Sequence, residues 1–188
     1  MIDTAIFDLE TSDLAGDRGI VLCAVIQSSR RKKPYVIRTD ETNAKGWRAG
    51  QRGDDSKTVA QVCDILVDHD VLAAHNGTRF DVPFLRTRRL RWGMKPMPEV
   101  KIVDPLSIAW RKLRLRSNRL GAISDHLGIK DKKTPLDLSI WMDAILNGTR
   151  ASMDLIVEHC VADVAVLAGV LNFVKPFIRV LDERGSAL

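Results

Sequence analysis

A chain of 188 residues, 45% hydrophobic and 28% charged, has the length of a single domain (residues 1–188) and the balance of a folded globular protein, which excludes intrinsic disorder. No apolar run approaches the roughly 18 residues that a bilayer-spanning helix needs. Asp3, Asp8 and Glu10 interrupt the one early apolar stretch that a signal peptide would use, so a membrane role is excluded and a cytosolic location expected. The net charge of +5 points modestly to an anionic partner.

In chain order, Thr4 to Leu9 reads as a first strand and Ile20 to Gln27 as a second, joined as a hairpin through the turn Gly16-Asp17-Arg18-Gly19. Tyr35 to Arg38 is a third strand. The polar stretch from Thr42 to Lys57 reads as a loop, after which Ser56 is expected to cap a helix reaching about His69, with Val59, Val62, Cys63, Leu66 and Val67 on one face. Val71 to Ala74 and Lys101 to Val103 are short apolar strands, separated by a helix from Asp81 to Trp92 that ends at Gly93. Helices are then predicted at about 105–115, 119–127, 137–147 and 152–173, with Gly128, Gly148 and Pro176 as stop signals. Three strands followed by alternating helices and strands predict an α/β domain with a mixed sheet. Cys23, Cys63 and Cys160 lie far apart in apolar surroundings and read as reduced core residues.

Basic residues fall in four runs: Arg30 to Lys33; Arg86, Arg88, Arg89 and Arg91; Arg111, Lys112, Arg114, Arg116 and Arg119; and Lys130, Lys132 and Lys133. Any one run is ordinarily a solvated face, but four in one small domain favour a phosphate-binding surface.

Three short segments carry chemistry. In Phe7-Asp8-Leu9-Glu10-Thr11, strand alternation points Asp8 and Glu10 to the same face, where their mutual repulsion becomes an asset once a divalent cation binds. In His75 to Leu85, Asp81 opens a helix that has Pro83 in its first turn. In Glu158 to Asp163, His159 and Asp163 are four apart on one helix face, and Asp163 lies among Val161, Val164 and Val166, where a lone carboxylate would be costly to bury. Each segment also has a bland explanation: solvated carboxylates at a strand end, a helix cap, and the polar face of an amphipathic helix.

Taken together, these segments resemble the three motifs of the DEDD (DnaQ-like) 3′→5′ exonuclease superfamily, over about residues 3 to 174. Asp8 and Glu10 match its D-x-E motif, Asn76, Phe80 and Asp81 its N-x-x-x-F-D motif, and Asp163 its last aspartate. Arg119-Leu120-Gly121 to Leu127-Gly128 also looks like a helix that precedes the third motif. The resemblance implies an RNase H-like fold whose five-stranded sheet has three antiparallel strands and then two parallel ones, flanked by helices.

The resemblance further implies two magnesium or manganese ions held by Asp8, Glu10, Asp81 and Asp163, with His159 as general base and nucleoside 5′-monophosphates as products. Thr11 and Leu14 resemble positions that touch the terminal nucleotide, and Asn76 and Phe80 are further candidates for substrate contact. The implied partner is single-stranded nucleic acid or the 3′ end of a duplex, DNA ahead of RNA. A monomer suffices for this chemistry, and a polymerase would be a separate partner.

One feature departs from the pattern. The family carries either a tyrosine four residues before the last aspartate or a histidine five before it, whereas His159 lies four before Asp163. Small nucleases resembling the exonuclease domain of family B DNA polymerases show this arrangement. Imidazole titrates near neutrality, which suits proton abstraction from water. Two other readings stay open: a nucleic-acid-binding module that has lost turnover, and an endonuclease or ribonuclease H of the same fold.

Overall fold

The computed structural model describes residues 2–129 and 136–178. The basic run at Lys130, Lys132 and Lys133 lies outside the described residues. Strand β1 (Thr4–Thr11) alternates, with Ala5, Phe7 and Leu9 buried on one face and Ile6, Asp8 and Glu10 on the other. Strand β2 (Val21–Ser28) is buried throughout except at Gln27, as befits a strand covered by helices on both faces. Strand β3 (Tyr35–Arg38) completes an antiparallel meander.

Next come α1 (Thr39–Thr42), α2 (Ala44–Arg48), α3 (Ser56–Val67), β4 (Val71–Ala73), α4 (Asp81–Arg91) and β5 (Ile102–Val103). The chain ends with α5 (Pro105–Lys112), α6 (Leu120–Leu127), α7 (Leu138–Leu146), α8 (Arg150–Val174) and a 3₁₀ turn, Lys175–Phe177. The sheet order is β3-β2-β1-β4-β5, with β4 and β5 parallel to β1. This is an RNase H-like α/β fold with the expected mixed five-stranded sheet. Among the described residues no helix is long and apolar enough to cross a membrane.

Helices cover both faces of the sheet. On one, Phe7, Ala24, Ile26 and Leu72 pack against Val59, Val62 and Leu66 of α3 and against Val82 and Leu85 of α4. On the other, α8 runs the width of the sheet. Its first half meets β2 through Met153, Ile156 and Cys160, and its second half meets β4 and β5 through Val166, Leu167 and Val170. At 1.5 Å per residue its 25 residues extend roughly 37 Å, enough to serve both cores and the edge between them. Cys23, Cys63 and Cys160 are all reduced and buried, as their apolar settings suggest.

Four local expectations need correction. The stretch from Thr42 to Lys57 is not plain loop, because α1 ends at Thr42 and α2 lies within it. The Thr39 and Thr42 hydroxyls hydrogen-bond that of Thr58 at 2.7 and 2.6 Å, and buried Trp47 donates to the Gly148 carbonyl at 3.2 Å. Ser56 is not the cap of α3 but its first residue, with its N–H on the Asp54 carboxylate at 3.0 Å. Asp55 occupies the cap position, yet its carboxylate turns inward to Arg88. That pairing also corrects the second basic run: Arg88 is 4% exposed and belongs to the core rather than to a phosphate-binding surface. Helix α5 stops at Lys112, short of the expected 115.

Candidate active site

The carboxyl ends of the three mutually parallel strands β1, β4 and β5 converge on one edge of the sheet, the place where α/β sheets bind ligands. At the end of β1 the register with β2 shifts between Glu10 and Thr11, just past the second carboxylate. Asp8 and Glu10 share the face covered by α8, whose residues 159, 160 and 163 lie opposite them.

The structure brings four of the five expected catalytic residues into two overlapping groups. Ligand atoms of Glu10, His159 and Asp163 lie within 4.8 Å of one another, as do those of Asp8, Glu10 and Cys160. His159 Nε2 is 3.8 Å from both Glu10 Oε1 and Asp163 Oδ2, within ion-pair range but too long for a hydrogen bond. The four-residue spacing therefore does place the imidazole beside the last aspartate, one helical turn away. Trp141 of α7 meets the His159 ring edge-on, with centroids 5.9 Å apart, and fixes its orientation. His159 Nδ1 is buried with no hydrogen-bond partner among the described residues.

Asp81, the fifth, stands outside both groups but is electrostatically tied to them. It is 2% exposed, and its Oδ1 has no hydrogen-bond partner among the described residues. Burial pushes its carboxyl well above the usual 3.8, and the negative charges of Asp8 and then Asp104 push it further, against the backbone N–H groups of Asp81 and Leu9. An acid this buried, next to another acid, is the setting that a bound cation relieves. Asp81 is not a helix cap, since Phe80 holds that position and no side chain caps α4.

The loop before α4 sets the position of Asp81. Asn76 has φ of +67°, in the left-handed region that asparagine tolerates better than most residues. Its carbonyl accepts the N–H groups of Arg79 and Phe80 at 3.0 and 2.9 Å. A Cβ on Gly77 would come within 2.5 Å of the Ala74 Cβ, so only glycine fits between the loop and β4. Sequence reasoning missed the residue that pins this loop. The Asp104 carboxylate accepts from the Asn76 N–H at 2.9 Å and the Thr78 hydroxyl at 2.7 Å, while also capping α5 through the N–H of Leu106 at 3.0 Å. The signal was present as an aspartate immediately before Pro105, a helix-start pair.

Cys160 was also missed. Its Sγ is 3.5 Å from the Asp8 carbonyl oxygen and 3.6 Å from Asp8 Oδ2. Burial drives the thiol well above its usual range, helped by the adjacent Cys23 thiol and by the charges of Asp8 and Glu10. It thus remains a weak S–H donor that orients Asp8, and the ligands left over are carboxylate oxygens and an imidazole. Such a set fits a hard divalent cation, which prefers oxygen.

Three of the four expected substrate contacts divide between two clefts. Asp8, His75, Asn76 and Asp163 line one, together with Arg119 and Leu120 at the start of α6. Thr11 and Leu14 line the other, with Trp141 and Met142 of α7. Phe80 is half-buried, its ring 5.7 Å from that of Phe84 and packed on the core beneath the site.

An RNase H-like sheet bearing an acidic, histidine-containing cluster that could hold metal at its carboxyl edge is consistent with a nuclease-type site. The sequence pattern of the RNase H superfamily matches residues 5–174, and the chain belongs to that superfamily. Over 133 residues, 63% of the chain, it is 32% identical to a PolC-type DNA polymerase III of Ureaplasma parvum serovar 3, and it spans 9% of that protein's length. It is 24% identical to the DNA polymerase delta catalytic subunit of Candida albicans, with 84% of this chain and 19% of the relative covered. Among solved structures, the family B DNA polymerase of the archaeon Pyrobaculum calidifontis superimposes with a TM-score of 0.74 over 95% of this chain and 25% of the polymerase, at 16% identity. The chain thus shares the fold of the exonuclease domain of family B polymerases and corresponds to a small part of each of these relatives.

Proposed function

We propose that this chain is a metal-dependent 3′→5′ exonuclease that releases nucleoside 5′-monophosphates from DNA, acting on single strands and on the 3′ ends of duplexes. One observation carries the reading: Asp8, Glu10, His159 and Asp163 crowd together beside Asp81, a buried acid with an oxygen that no hydrogen bond satisfies among the described residues. The likeness to three DNA polymerases supports a nucleic-acid substrate, DNA ahead of RNA. Action as a monomer, with any polymerase as a separate partner, belongs to the same proposal.

Asp8, Glu10, Asp81 and Asp163 would hold two magnesium or manganese ions, which would supply charge stabilisation of the phosphoryl group and a lowered pKa for the attacking water. His159 accepts a proton from that water at Nε2, and the carboxylates of Glu10 and Asp163 stabilise the imidazolium that forms. The water oxygen bonds to phosphorus as the bond to the 3′ oxygen breaks; that oxygen takes a proton from solvent to become the 3′ hydroxyl of the shortened chain, and the imidazolium returns its proton to solvent. Thr11 and Leu14 seat the terminal nucleoside, Asn76 lines the opposite wall, and Phe80 supports the site from below.

Digestion of a 5′-labelled single-stranded DNA with magnesium, manganese or EDTA, beside a closed circle of the same sequence, tests this reading. The linear strand is expected to shorten from its 3′ end only when metal is present, and the circle to survive. Cutting of the circle would move the chain to the endonucleases. An intact linear strand under every condition would leave a binding module.

A further inference from the structure

The cleft that holds Asp8 and Asp163 does not end at the carboxylates. It shares Leu106 and Arg119 with a second hollow lined by Arg79, Trp110 and Asn118. The two form one groove leading from the acidic centre across the outer end of α5. Trp110 is 73% exposed, although its neighbours Ile108 and Ala109 bury the inner face of the same helix. A single exposed aromatic needs no special explanation. This one, however, shares its hollow with Arg79 and Arg119, at the head of a segment in which Arg111, Lys112, Arg114, Arg116 and Arg119 are all exposed. In the same hollow, Asn118 Oδ1 is buried with no hydrogen-bond partner among the described residues, which leaves a desolvated acceptor beside the groove.

The surroundings of the acidic centre give the groove a direction. A phosphodiester has a nucleoside on each side, and the centre has a cleft on each side. The one at Thr11, Leu14 and Trp141 adjoins His159, while the Trp110 groove opens from Asp8 and Asp163.

We propose that the Trp110 groove binds the single-stranded segment lying 5′ of the scissile bond. An unpaired base stacks on the Trp110 indole, Arg79 and Arg119 hold the flanking phosphates, and the Asn118 amide accepts a hydrogen bond from the passing strand. Such a site prefers single strands because a paired base has no free face to offer the indole. The 5′ polarity rests on the exonuclease reading, whereas the groove's occupant rests on its own chemistry.

The test is binding of a labelled twelve-nucleotide oligothymidylate in calcium, followed by fluorescence anisotropy, with digestion in manganese run in parallel. Stacking on one aromatic contributes enough that Trp110→Ala is expected to weaken binding about 5- to 150-fold, while Trp110→Phe keeps most of the affinity. Arg79→Ala should lower the slope of log affinity against log salt by about 0.7, one phosphate contact on a single strand. Unchanged oligonucleotide affinity in Trp110→Ala would overturn the proposal, and so would a blunt duplex that competes as well as the single strand. A wild type that binds through Trp110 but digests nothing would sink the exonuclease reading alone.

Discussion

Asp55 and Asp81 are both buried, 0% and 2% exposed, and both sit at the start of a helix, yet their surroundings are opposite. Asp55 is saturated. It accepts from Arg88 Nη2 at 2.8 Å and Nε at 3.0 Å, from Trp92 Nε1 at 2.7 Å and from the Val21 N–H at 2.8 Å. Arg88 in turn reaches the Gly16 carbonyl at 3.2 Å, so one ion pair ties α3 and α4 to the β1–β2 turn. Asp81 has another acid, Asp8, as its electrostatic neighbour and leaves Oδ1 without a partner among the described residues. A buried carboxylate with its counter-charge built in is structural, and one whose neighbours share its sign awaits a cation from outside. The pair separates a part of the molecule that holds the fold from the part proposed to hold metal.

Exchanging the roles of the two acids breaks the comparison most severely. Asp81→Asn keeps the shape and removes the charge, and is expected to lower kcat on the order of 10³-fold, the several kcal/mol that metal-held charge stabilisation contributes. Asp55→Ala is expected to do the reverse. It strands a buried guanidinium and should cost about 3–5 kcal/mol, a fall in Tm of about 6–20 °C, with or without divalent ions. Calorimetry and single-turnover digestion of both variants check the pair. A large stability loss in Asp81→Asn with activity intact would invert the assignment.

A smaller effect sharpens the same point through pH. With the folded-state pKa of Asp81 raised, the unfolded chain releases this proton near 3.8 while the folded chain still holds it. In EDTA this group therefore lowers stability as pH rises from about 4 to its raised pKa, with a slope of up to about 1.4 kcal/mol per pH unit, and the penalty is constant above that. Urea melts across this range in EDTA should show a gentler decline for Asp81→Asn. Identical profiles for the two proteins would remove the electrostatic strain from the account.

What could be read from the sequence depended on how local the cause was. Alternation along β1 placed Asp8 and Glu10 on one face because a strand reverses its side chains at every residue. Helical spacing aligned His159 with Asp163 for the same kind of reason. That periodicity also contains Cys160, three residues before Asp163, but its apolar neighbours made it look like filler. The inward turn of Asp55 was not readable, since its partner Arg88 lies 33 positions away within a run of arginines that looked solvent-facing. Helices α1 and α2 are each too short for a periodic pattern to register. Asp104 was visible as a helix starter, but its hold on the Asn76 loop depends on how β4 and β5 are paired.

The most direct measurement is isothermal titration of the metal-free protein with manganese, beside Asp8→Ala and Asp81→Asn. Saturable binding in the wild type, weakened in both variants and accompanied by a Tm rise of about 5–10 °C at a hundredfold excess over Kd, is the expected result. A wild type that takes up no manganese, or variants that bind it as tightly as the wild type, would contradict the claim that these acids are gathered to hold metal.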